Sequence, residues 1–595
     1  RARLGLTLGA AAAVTAGSLG LIQWEEAARA EAMARCRAPE AAVTGLLADE
    51  RREALRAAIR ATGVSYAEKS AEVIEAALES FSSRWVAVSA ATCEGAAASS
   101  ISAEMQALRG RCAERQRLAV EAALEVLLTA DATVVENMDG LVARLPDPRR
   151  CEDLRVLAAL AGESAAGEEP RREAILARLA KVDAALAAGR HQEGEALVAP
   201  LIAEAKTLAD RGLRAEILGR AGSCASASGD YERAAALSWR AVRDALAAGQ
   251  PASAANTLNL MTADELFRAA RLAEARRWSE LAEALIEQAD DDYQRFVHLH
   301  YRASLASLER DYQEGLRLYD EALALAGLND YDRVALMNNR GLTLSALGRY
   351  DEAIAAYGAV IAQVTGRYGE DHPVIASSQN NIGLVHLAAG DLERAREAAL
   401  AVVARQERIL GDHPSLAMSL HNLASIDLER GALMDGHATE MRALEMLRAT
   451  VPEDHVLMAY VSHGLGEFER RRGHPELAQE LCSRALAGFE RYFGSEHVYA
   501  SYPLLCLGEL ALARGAVKEA LPLLERSLAL IAENHDVNRA DRGHVRFALA
   551  RARALAGEEE RARALGEEAI GFYAAAGPSY RGQQQEVEEW LARRR

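Results

Sequence analysis

The chain has 595 residues, more than one hydrophobic core supports, so several domains or a repeat array are expected. Aromatic residues make up 5% of it and prolines number 13, a composition that favours helix over sheet. The net charge of −18, spread thinly along the chain, indicates a solvated acidic surface and argues against nucleic acid as the main partner.

Residues 4–22, LGLTLGAAAAVTAGSLGLI, contain no charged residue. Their length is close to the roughly 20 residues that cross a bilayer; Arg1 and Arg3 precede them, and Glu25 and Glu26 follow. We therefore expect a single transmembrane helix in an inner membrane, with the rest of the chain extracytoplasmic. A cleaved signal peptide and a buried alanine-rich helix are the alternatives, and the alternative location is cytoplasmic. Because the first residue is Arg, sequence before it is expected as well.

Residues 24–165 are predicted to form a helical juxtamembrane domain, with long helices over residues 39–62, 66–96 and 101–131. The run AGESAAGEEP at residues 161–170 is typical of a linker into a following domain.

Four of the seven cysteines lie in this helical domain, at Cys36, Cys93, Cys112 and Cys151. Outside the cell they are expected to pair, in one of three ways. Cys93 and Cys112 are placed symmetrically about the turn near residues 97–102, which favours a Cys93–Cys112 disulfide and leaves Cys36–Cys151. The alternative is four reduced core thiols in a cytoplasmic domain. The other cysteines, Cys224, Cys482 and Cys506, are interpreted as core residues.

Residues 175–579 repeat a pattern of helix, short turn around glycine, and second helix. One position of the second helix holds glycine or alanine in every copy: Gly194, Ala234, Ala275, Gly315, Ala353, Ala395, Gly436, Ala478, Ala520 and Ala562. Helices that approach closely have no room for a larger side chain there. The sequence therefore predicts about ten stacked helical hairpins, with residues 580–595 as a capping helix over the last one.

The hairpins resemble tetratricopeptide repeats, which carry a small residue in the first helix and Gly-x-Tyr at the turn, as at Gly348–Tyr350 and Gly229–Tyr231. The step of 40 to 42 residues and the Asp-His-Pro linkers are similar to the kinesin light chain type of this repeat. This resemblance implies an all-α fold: a right-handed superhelix of helical hairpins, preceded by the helical domain and the transmembrane helix.

An Asp-His or Glu-His pair recurs between hairpins, with the histidines at His372, His413, His455 and His497, in steps of 41, 42 and 42 residues. A row of histidines raises the question of metal binding, but zinc needs several ligands that converge, and successive repeat junctions lie too far apart. Proline follows the first two histidines, as is common in the first turn of a helix. We therefore interpret the histidines as helix caps and predict no metal site.

The sequence lacks the motifs of common enzymes, including the phosphate loop and catalytic loop of a kinase. We predict no catalytic residue and no cofactor. A superhelix of hairpins instead offers a concave face to a protein or peptide ligand.

A line of polar residues marks the expected ligand groove on the first helices: Asn338, Asn339, Asn380, Asn381, His421, Asn422 and His463. The family resemblance implies that Asn339, Asn381 and Asn422 hold the backbone or terminal carboxylate of a ligand. The alternative is that these amides join neighbouring helices. The two histidines would make binding sensitive to pH near neutrality.

The order of CRAPE, SSRWVAVSAATCE and LPDPRRCEDL ahead of the repeats resembles the region that follows the membrane segment in myxobacterial-type serine/threonine protein kinases. The resemblance implies that this chain is the extracytoplasmic, protein-binding sensor of such a kinase, whose catalytic domain lies outside it. The alternative is a stand-alone tetratricopeptide scaffold. A second copy of the chain, forming a homodimer, is kept as a candidate partner.

Overall fold

The computed structural model describes residues 43, 45–97, 100–154, 156–157, 169–267, 271–289, 291–325, 328–532 and 538–594. Every regular element within these ranges is an α-helix or a short 3₁₀ helix. The chain divides into two compact units: the first holds residues up to 305 together with 324–332, and the second holds residues 306–323 and those from 333 onward. The domain boundaries given above stay a prediction.

The expected fold class is wrong as stated, because it included a transmembrane helix. None of the helices in the described ranges has the length and apolar character needed to cross a membrane. The span expected at residues 4–22 lies outside those ranges. The fold is an all-α solenoid of helical hairpins preceded by further helices.

The first unit begins with an N-terminal group of helices. They are α1 (Asp49–Ala61), α2 (Ala67–Ala97), α3 (Ala103–Leu127), α4 (Ala132–Glu136) and α5 (Met138–Ala143), followed by a 3₁₀ turn at Pro148–Glu152. Helices α2 and α3 form a hairpin, in which the indole of Trp85 donates a hydrogen bond to the carbonyl of Ala113 at 2.8 Å. Most of the predicted linker, residues 161–168, lies outside the described residues.

The repeat helices of the first unit are α6 (Glu169–Ala187), α7 (His191–Ala205), α8 (Arg211–Ala227), α9 (Tyr231–Ala247), α10 (Pro251–Phe267), α11 (Leu272–Ala289) and most of α12 (Asp292–Leu308). The N-terminal helices lie against them. Ala184 and Ala187 of α6 belong to the same buried cluster as Leu55 and Met138. The first repeat and the N-terminal helices therefore share one core.

The contacts of the N-terminal helices continue along the repeats of the first unit. Arg115 on α3 forms an ion pair with Glu216 on α8 at 2.5 Å. Arg150, in the 3₁₀ turn, lies 3.4 Å from Asp291. A methyl group at Gly140 would lie 3.8 Å from the hydroxyl of Tyr331. The N-terminal helices thus reach from the first repeat to residues that precede and follow α12.

The remaining helices are α13 (Tyr312–Ala324), α14 (Asp330–Ala346), α15 (Tyr350–Tyr368), α16 (Pro373–Ala388), α17 (Leu392–Leu410), α18 (Pro414–Glu429), α19 (Leu433–Thr450), α20 (Val456–Arg472), α21 (Pro475–Phe493), α22 (Ser501–Ala513), α23 (Val517–Ala532), α24 (Arg539–Leu555), α25 (Glu559–Ala576) and α26 (Arg581–Ala592). They belong to the second unit, apart from the end of α13 and the start of α14. The ring of Trp590 on α26 packs edge-on against Phe547 at 5.6 Å between centroids.

The small residues that defined the repeat are buried in all ten hairpins. Their counterparts in the first helices are equally constrained: a methyl group at Gly341 would lie 2.7 Å from the ring of Tyr357 on the partner helix. The rings and helices could not keep this spacing around a larger side chain. The prediction of stacked hairpins from small residues is therefore confirmed.

The histidines between hairpins cap helices, as predicted. In each case the ring Nδ1 accepts a hydrogen bond from the backbone N–H two residues further on. The distances are 3.4 Å at His372, 3.1 Å at His413 and 3.3 Å at both His455 and His497. Helices α16 and α18 begin at Pro373 and Pro414, where the missing N–H costs nothing.

The superhelix of the second unit closes on itself. The turn after α16 meets the turn after α25: the hydroxyl of Ser579 donates to the carbonyl of Gly390, and a methyl group at Gly390 would lie 2.6 Å from the carbonyl oxygen of Ala576. Gly390 and Gly577 both have positive φ, 74° and 109°. Only glycine combines this backbone with so close an approach.

The predicted disulfides are wrong. Cys112 bonds to Cys151, with a Cα–Cα distance of 5.6 Å, so neither Cys93–Cys112 nor Cys36–Cys151 forms. Equal distance from a turn fixes the height of a residue along a hairpin but not its helix face. Cys112 faces the 3₁₀ turn and is buried with Cys151. Cys93 is disulfide-bonded as well, and Cys36 lies outside the described residues.

A second disulfide, between Cys482 on α21 and Cys506 on α22, joins successive hairpins. The sequence interpretation of these residues as core thiols missed it. Both side chains are fully buried at regular repeat positions, so their spacing did not distinguish a disulfide from two packed thiols. Cys224 is a buried free thiol, as interpreted.

Candidate functional site

The first helices of the hairpins form the inner face of the second unit. Helix α18 contacts α20, α20 contacts α22, and α22 contacts α24, although each pair is separated by a second helix in the chain. The first helices therefore converge, and the surface that they share is the concave one. The predicted groove residues lie on α14, α16, α18 and α20 of this face.

The asparagines among the predicted groove residues, which we call the amide ladder, make different contacts. Asn422 donates from Nδ2 to Oδ1 of Asn380 at 3.0 Å, which joins α18 to α16. For this pair the helix-bridging alternative is what the structure contains. Asn338 on α14 differs, because its Oδ1 is buried without a hydrogen-bond partner among the described residues. The side chains of Asn339 and Asn381 are half-buried next to it in the ladder.

Two leucines beside the amides are exposed to solvent. Leu342 on α14 is 51% exposed and Leu384 on α16 is 43% exposed. They are one turn beyond Asn338 and Asn380, and each directly follows the small residue of its first helix. The sequence interpretation missed both, because an isolated leucine on a helix is more often a core residue. Their equivalent spacing in two repeats was the available signal.

His421 is held by a buried carboxylate. Its Nδ1 lies 2.7 Å from Oε1 of Glu440, which reaches in from the second helix α19. Burial lowers the pKa of His421, but the charge and hydrogen bond of Glu440 outweigh burial and raise it. A methyl group at Gly464 would lie 2.2 Å from the same oxygen. The amide ladder ends at residue 464 because Glu440 fills that space.

His463 has different surroundings. Its Nδ1 is buried without a hydrogen-bond partner among the residues described, and its ring lies 5.9 Å from that of Tyr502 on α22. Burial lowers the pKa of His463, so the neutral ring is favoured. The two histidines of the predicted groove therefore differ in the direction of their pKa shifts, since the pKa of His421 is raised and that of His463 is lowered.

Beyond His463 the inner face is neutralised by its own charges. Arg470 on α20 bonds Glu467 on the same helix and Glu509 on α22, each at 2.8 Å. Arg551 on α24 lies 3.2 Å from the other oxygen of Glu509. Burial alone would raise the pKa of Glu467, but Arg470 outweighs it and lowers that pKa to about 2. This network joins the first helices of three hairpins, α20, α22 and α24. Because its charged groups bond one another, they are less available to a ligand than the polar groups on α14 and α16.

The chemistry of the groove is that of binding. Amides, half-exposed leucines and a histidine whose pKa is raised can hold a backbone, an apolar side chain and an acidic group. Among the described residues no three histidine, cysteine, aspartate or glutamate side chains converge as metal ligands would.

The family model for the tetratricopeptide repeat matches residues 332–405 and 375–449. These residues, which include most of α14, all of α15 to α18 and most of α19, are tetratricopeptide repeats. The matched stretch holds six of the seven predicted groove residues. No curated protein sequence matches the chain.

Three solved structures are similar to parts of this chain at low sequence identity. A putative kinesin light chain from Podosopora anserina is 23% identical over 35% of this chain and 100% of that one, with a TM-score of 0.29. BtubC from P. vanneervenii is 20% identical over 42% and 92%, with a TM-score of 0.27. The apo quorum sensor NprR from B. thuringiensis is 14% identical over 68% and 99%, with a TM-score of 0.43. At these values the likenesses carry no inference about function.

Proposed function

We propose that this chain, whose residues 332–449 are tetratricopeptide repeats, is a protein-binding scaffold that holds a partner segment along the inner face of its second unit. The observation that carries the proposal is the surface on α14 and α16. There a buried amide oxygen of Asn338, which has no hydrogen-bond partner in the described part of the chain, lies on the same face as two exposed leucines.

Both features have a cost that a ligand would remove. A buried acceptor without a donor is destabilising, and a backbone N–H of an extended peptide would satisfy it. Half-exposed leucines in a concave surface gain free energy when an apolar side chain covers them. The charged network on α20 to α24 already satisfies itself, so the proposed contact surface is the part of the face on α14, α16 and α18.

The test uses the full chain and a random library of twelve-residue peptides, from which binders are selected and measured by fluorescence anisotropy. The double variant Leu342→Asp/Leu384→Asp is expected to weaken binding about a hundredfold, since two apolar contacts of about 1.5 kcal/mol each are lost. The matched control is Leu477→Asp, on the second helix α21, where leucine is 46% exposed. Equal loss in both variants, or no loss in the double variant, would contradict the proposal.

We also propose that the chain works in an oxidising, extracytoplasmic compartment. The support is the pair of disulfides, Cys112–Cys151 and Cys482–Cys506, which reducing compartments disfavour. Thiol trapping in intact source cells tests this proposal. The four cysteines of these two disulfides should resist alkylation until a reductant is added. Rapid alkylation without reductant, after denaturation in trapping reagent, would contradict it.

The narrower proposal is that the chain is the sensor portion of a serine/threonine protein kinase. Its support is the resemblance of residues 36–40, 82–94 and 145–154 to the region ahead of the repeats in such kinases. An antibody against the repeats should then detect a native polypeptide far heavier than 64.0 kDa. A native mass near 64.0 kDa would instead support the stand-alone scaffold. Light scattering on the purified chain separates a monomer from a homodimer.

A further inference from the structure

Glu440 is the one charged residue at a buried repeat position that is uncharged in the other nine hairpins. It lies four residues after the small residue of its second helix. All ten residues at this position are buried. In the other hairpins they are Val198, Ser238, Ser279, Tyr319, Tyr357, Ala399, Cys482, Leu524 and Gly566. A charged residue there is costly, because burial favours the uncharged form of a carboxylate.

The carboxylate of Glu440 is only half satisfied. It is fully buried, its Oε1 bonds His421 at 2.7 Å, and its Oε2 has no partner among the described residues. Space for it exists because residue 464 is glycine. Since a leucine or alanine would pack here at lower cost, as in other hairpins, the acidic group needs an explanation beyond stability.

The bond to Glu440 determines what His421 offers to the groove. With Nδ1–H donating to the carboxylate, Nε2 is the remaining nitrogen, and in the imidazolium form it carries a proton. The charge of Glu440 favours that form, against the effect of burial. On α16, Asn380 uses its Oδ1 to accept from Asn422, the residue that follows His421, which leaves the NH₂ group of Asn380 as a donor.

We propose that Glu440 is a positioning residue that holds His421 as a charged N–H donor, and that His421 and Asn380 together receive a carboxylate of the bound segment. This assignment rests on the proposed function and names one chemical feature of the ligand. The carboxylate can belong to an aspartate or glutamate side chain or to the peptide C-terminus, since both present the same two oxygens.

The experiment selects peptides from the random twelve-residue library on the full chain and on two variants, Glu440→Gln and the matched control Glu476→Gln. Glu476 is an exposed residue of α21. The wild type and the control are expected to enrich one acidic position or a free C-terminus. In Glu440→Gln the amide still accepts from Nδ1–H but no longer favours the cation, so His421 is neutral at pH 7 and the preference is lost.

Synthetic versions of the enriched peptide make the test quantitative. Changing its aspartate to asparagine should weaken binding to the wild type about tenfold and leave binding to Glu440→Gln unchanged. Amidation of the C-terminus replaces that change if the terminal carboxylate is the group received. This difference between the two chains depends on the charge of the peptide, so a purely structural role of Glu440 would not produce it.

Two results would overturn the assignment. One is a set of wild-type binders without any carboxylate preference. The other is a preference that Glu440→Gln keeps at pH 7 as strongly as Glu476→Gln does. If the wild type selects no peptide at all, the proposed function fails first and this assignment fails with it, so the two failures are distinguishable.

Discussion

The two units use the inner face of the same kind of repeat differently. In the first unit the chain's own N-terminal helices lie along the repeats, through the pair Arg115–Glu216 at one point and Arg150–Asp291 at another. In the second unit the inner face carries the amide ladder, and Leu342 and Leu384 remain exposed on it. The hairpin therefore specifies the scaffold, while the residues of its first helix decide whether the face is filled internally or left for a partner.

The two units also differ in how a buried glutamate is paired with its neighbours. Glu216, on the inner side of the first unit, is buried and paired with Arg115 and Arg220. The comparable part of the second unit leaves Asn338 Oδ1 and Glu440 Oε2 without partners among the described residues. Buried polar atoms without a described partner also occur in the first unit, at Asn259 Oδ1 and His298 Nε2 for example. The contrast therefore lies in the pairing of the carboxylates of Glu216 and Glu440, and not in the presence of such atoms.

The largest expected effect is the loss of a disulfide, one in each unit. Cys112→Ser/Cys151→Ser and Cys482→Ser/Cys506→Ser should each lower the free energy of unfolding by about 3 to 4 kcal/mol, because loops of 39 and 24 residues are closed. Denaturant unfolding measures the loss. Hydrogen exchange should show lost protection near residues 100–157 in the first variant and near residues 456–532 in the second. Identical exchange maps would contradict the division between the units.

The next largest effect is expected when the contact between the N-terminal helices and the repeats is removed. Arg115→Met leaves the buried Glu216 with fewer cations and should cost about 3 kcal/mol at pH 7. Burial alone would raise the pKa of Glu216, but its arginines outweigh burial and lower it. A lowered pKa stabilises the fold above the unfolded value, so the difference between wild type and variant should shrink as the pH falls below about 4. A difference independent of pH would contradict this account.

A smaller effect concerns the His421–Glu440 pair, whose neighbours include His437 on α19 and Tyr460 and His463 on α20. Burial raises the pKa of Glu440, and Glu440 raises that of His421 against burial. The folded state thus holds these protons more tightly than the unfolded chain, so stability is present at low pH and is lost as pH rises. The slope should not exceed about 1.4 kcal/mol per pH unit for each proton, and Glu440→Leu should flatten it. A profile unchanged in Glu440→Leu would contradict the assignment.

The smallest effect separates bridging amides from ligand-binding amides. Asn422→Ala removes the donor to Asn380 and should cost about 1 kcal/mol in unfolding free energy. Asn338→Ala removes a buried oxygen that has no described partner, so stability should stay the same or rise while peptide affinity falls. Equal destabilisation by both substitutions would show that Asn338 also serves the fold.

Much of the fold was predictable because it depends on local rules. The ten small residues fix where helices approach, and proline after His372 and His413 fixes where helices begin. The disulfides were not predictable in the same way. Pairing depends on which helix faces meet across 39 residues, and spacing about a turn does not determine that.

The sequence predicted where the candidate site lies, but it did not predict which partner each of its side chains has. The ladder lies on the inner face as expected, since its residues share one position of successive first helices. The use of each amide depends on its neighbour, and Asn380 differs from Asn338 for that reason. Glu440 comes from the second helix, but it was detectable: it is the one charged residue at a position that is buried in all ten hairpins.

The most direct test of the central claim is photo-crosslinking in source cells, with a benzoylphenylalanine introduced at Leu342 and, in a matched chain, at Leu477. The residue at 342 lies on the inner face and the one at 477 on an outer helix, and both leucines are about half exposed. Adducts to a partner protein at position 342 and none at 477 are the predicted result. Adducts of equal yield at both positions, or only at 477, would show that the inner face of the second unit is not where partners bind.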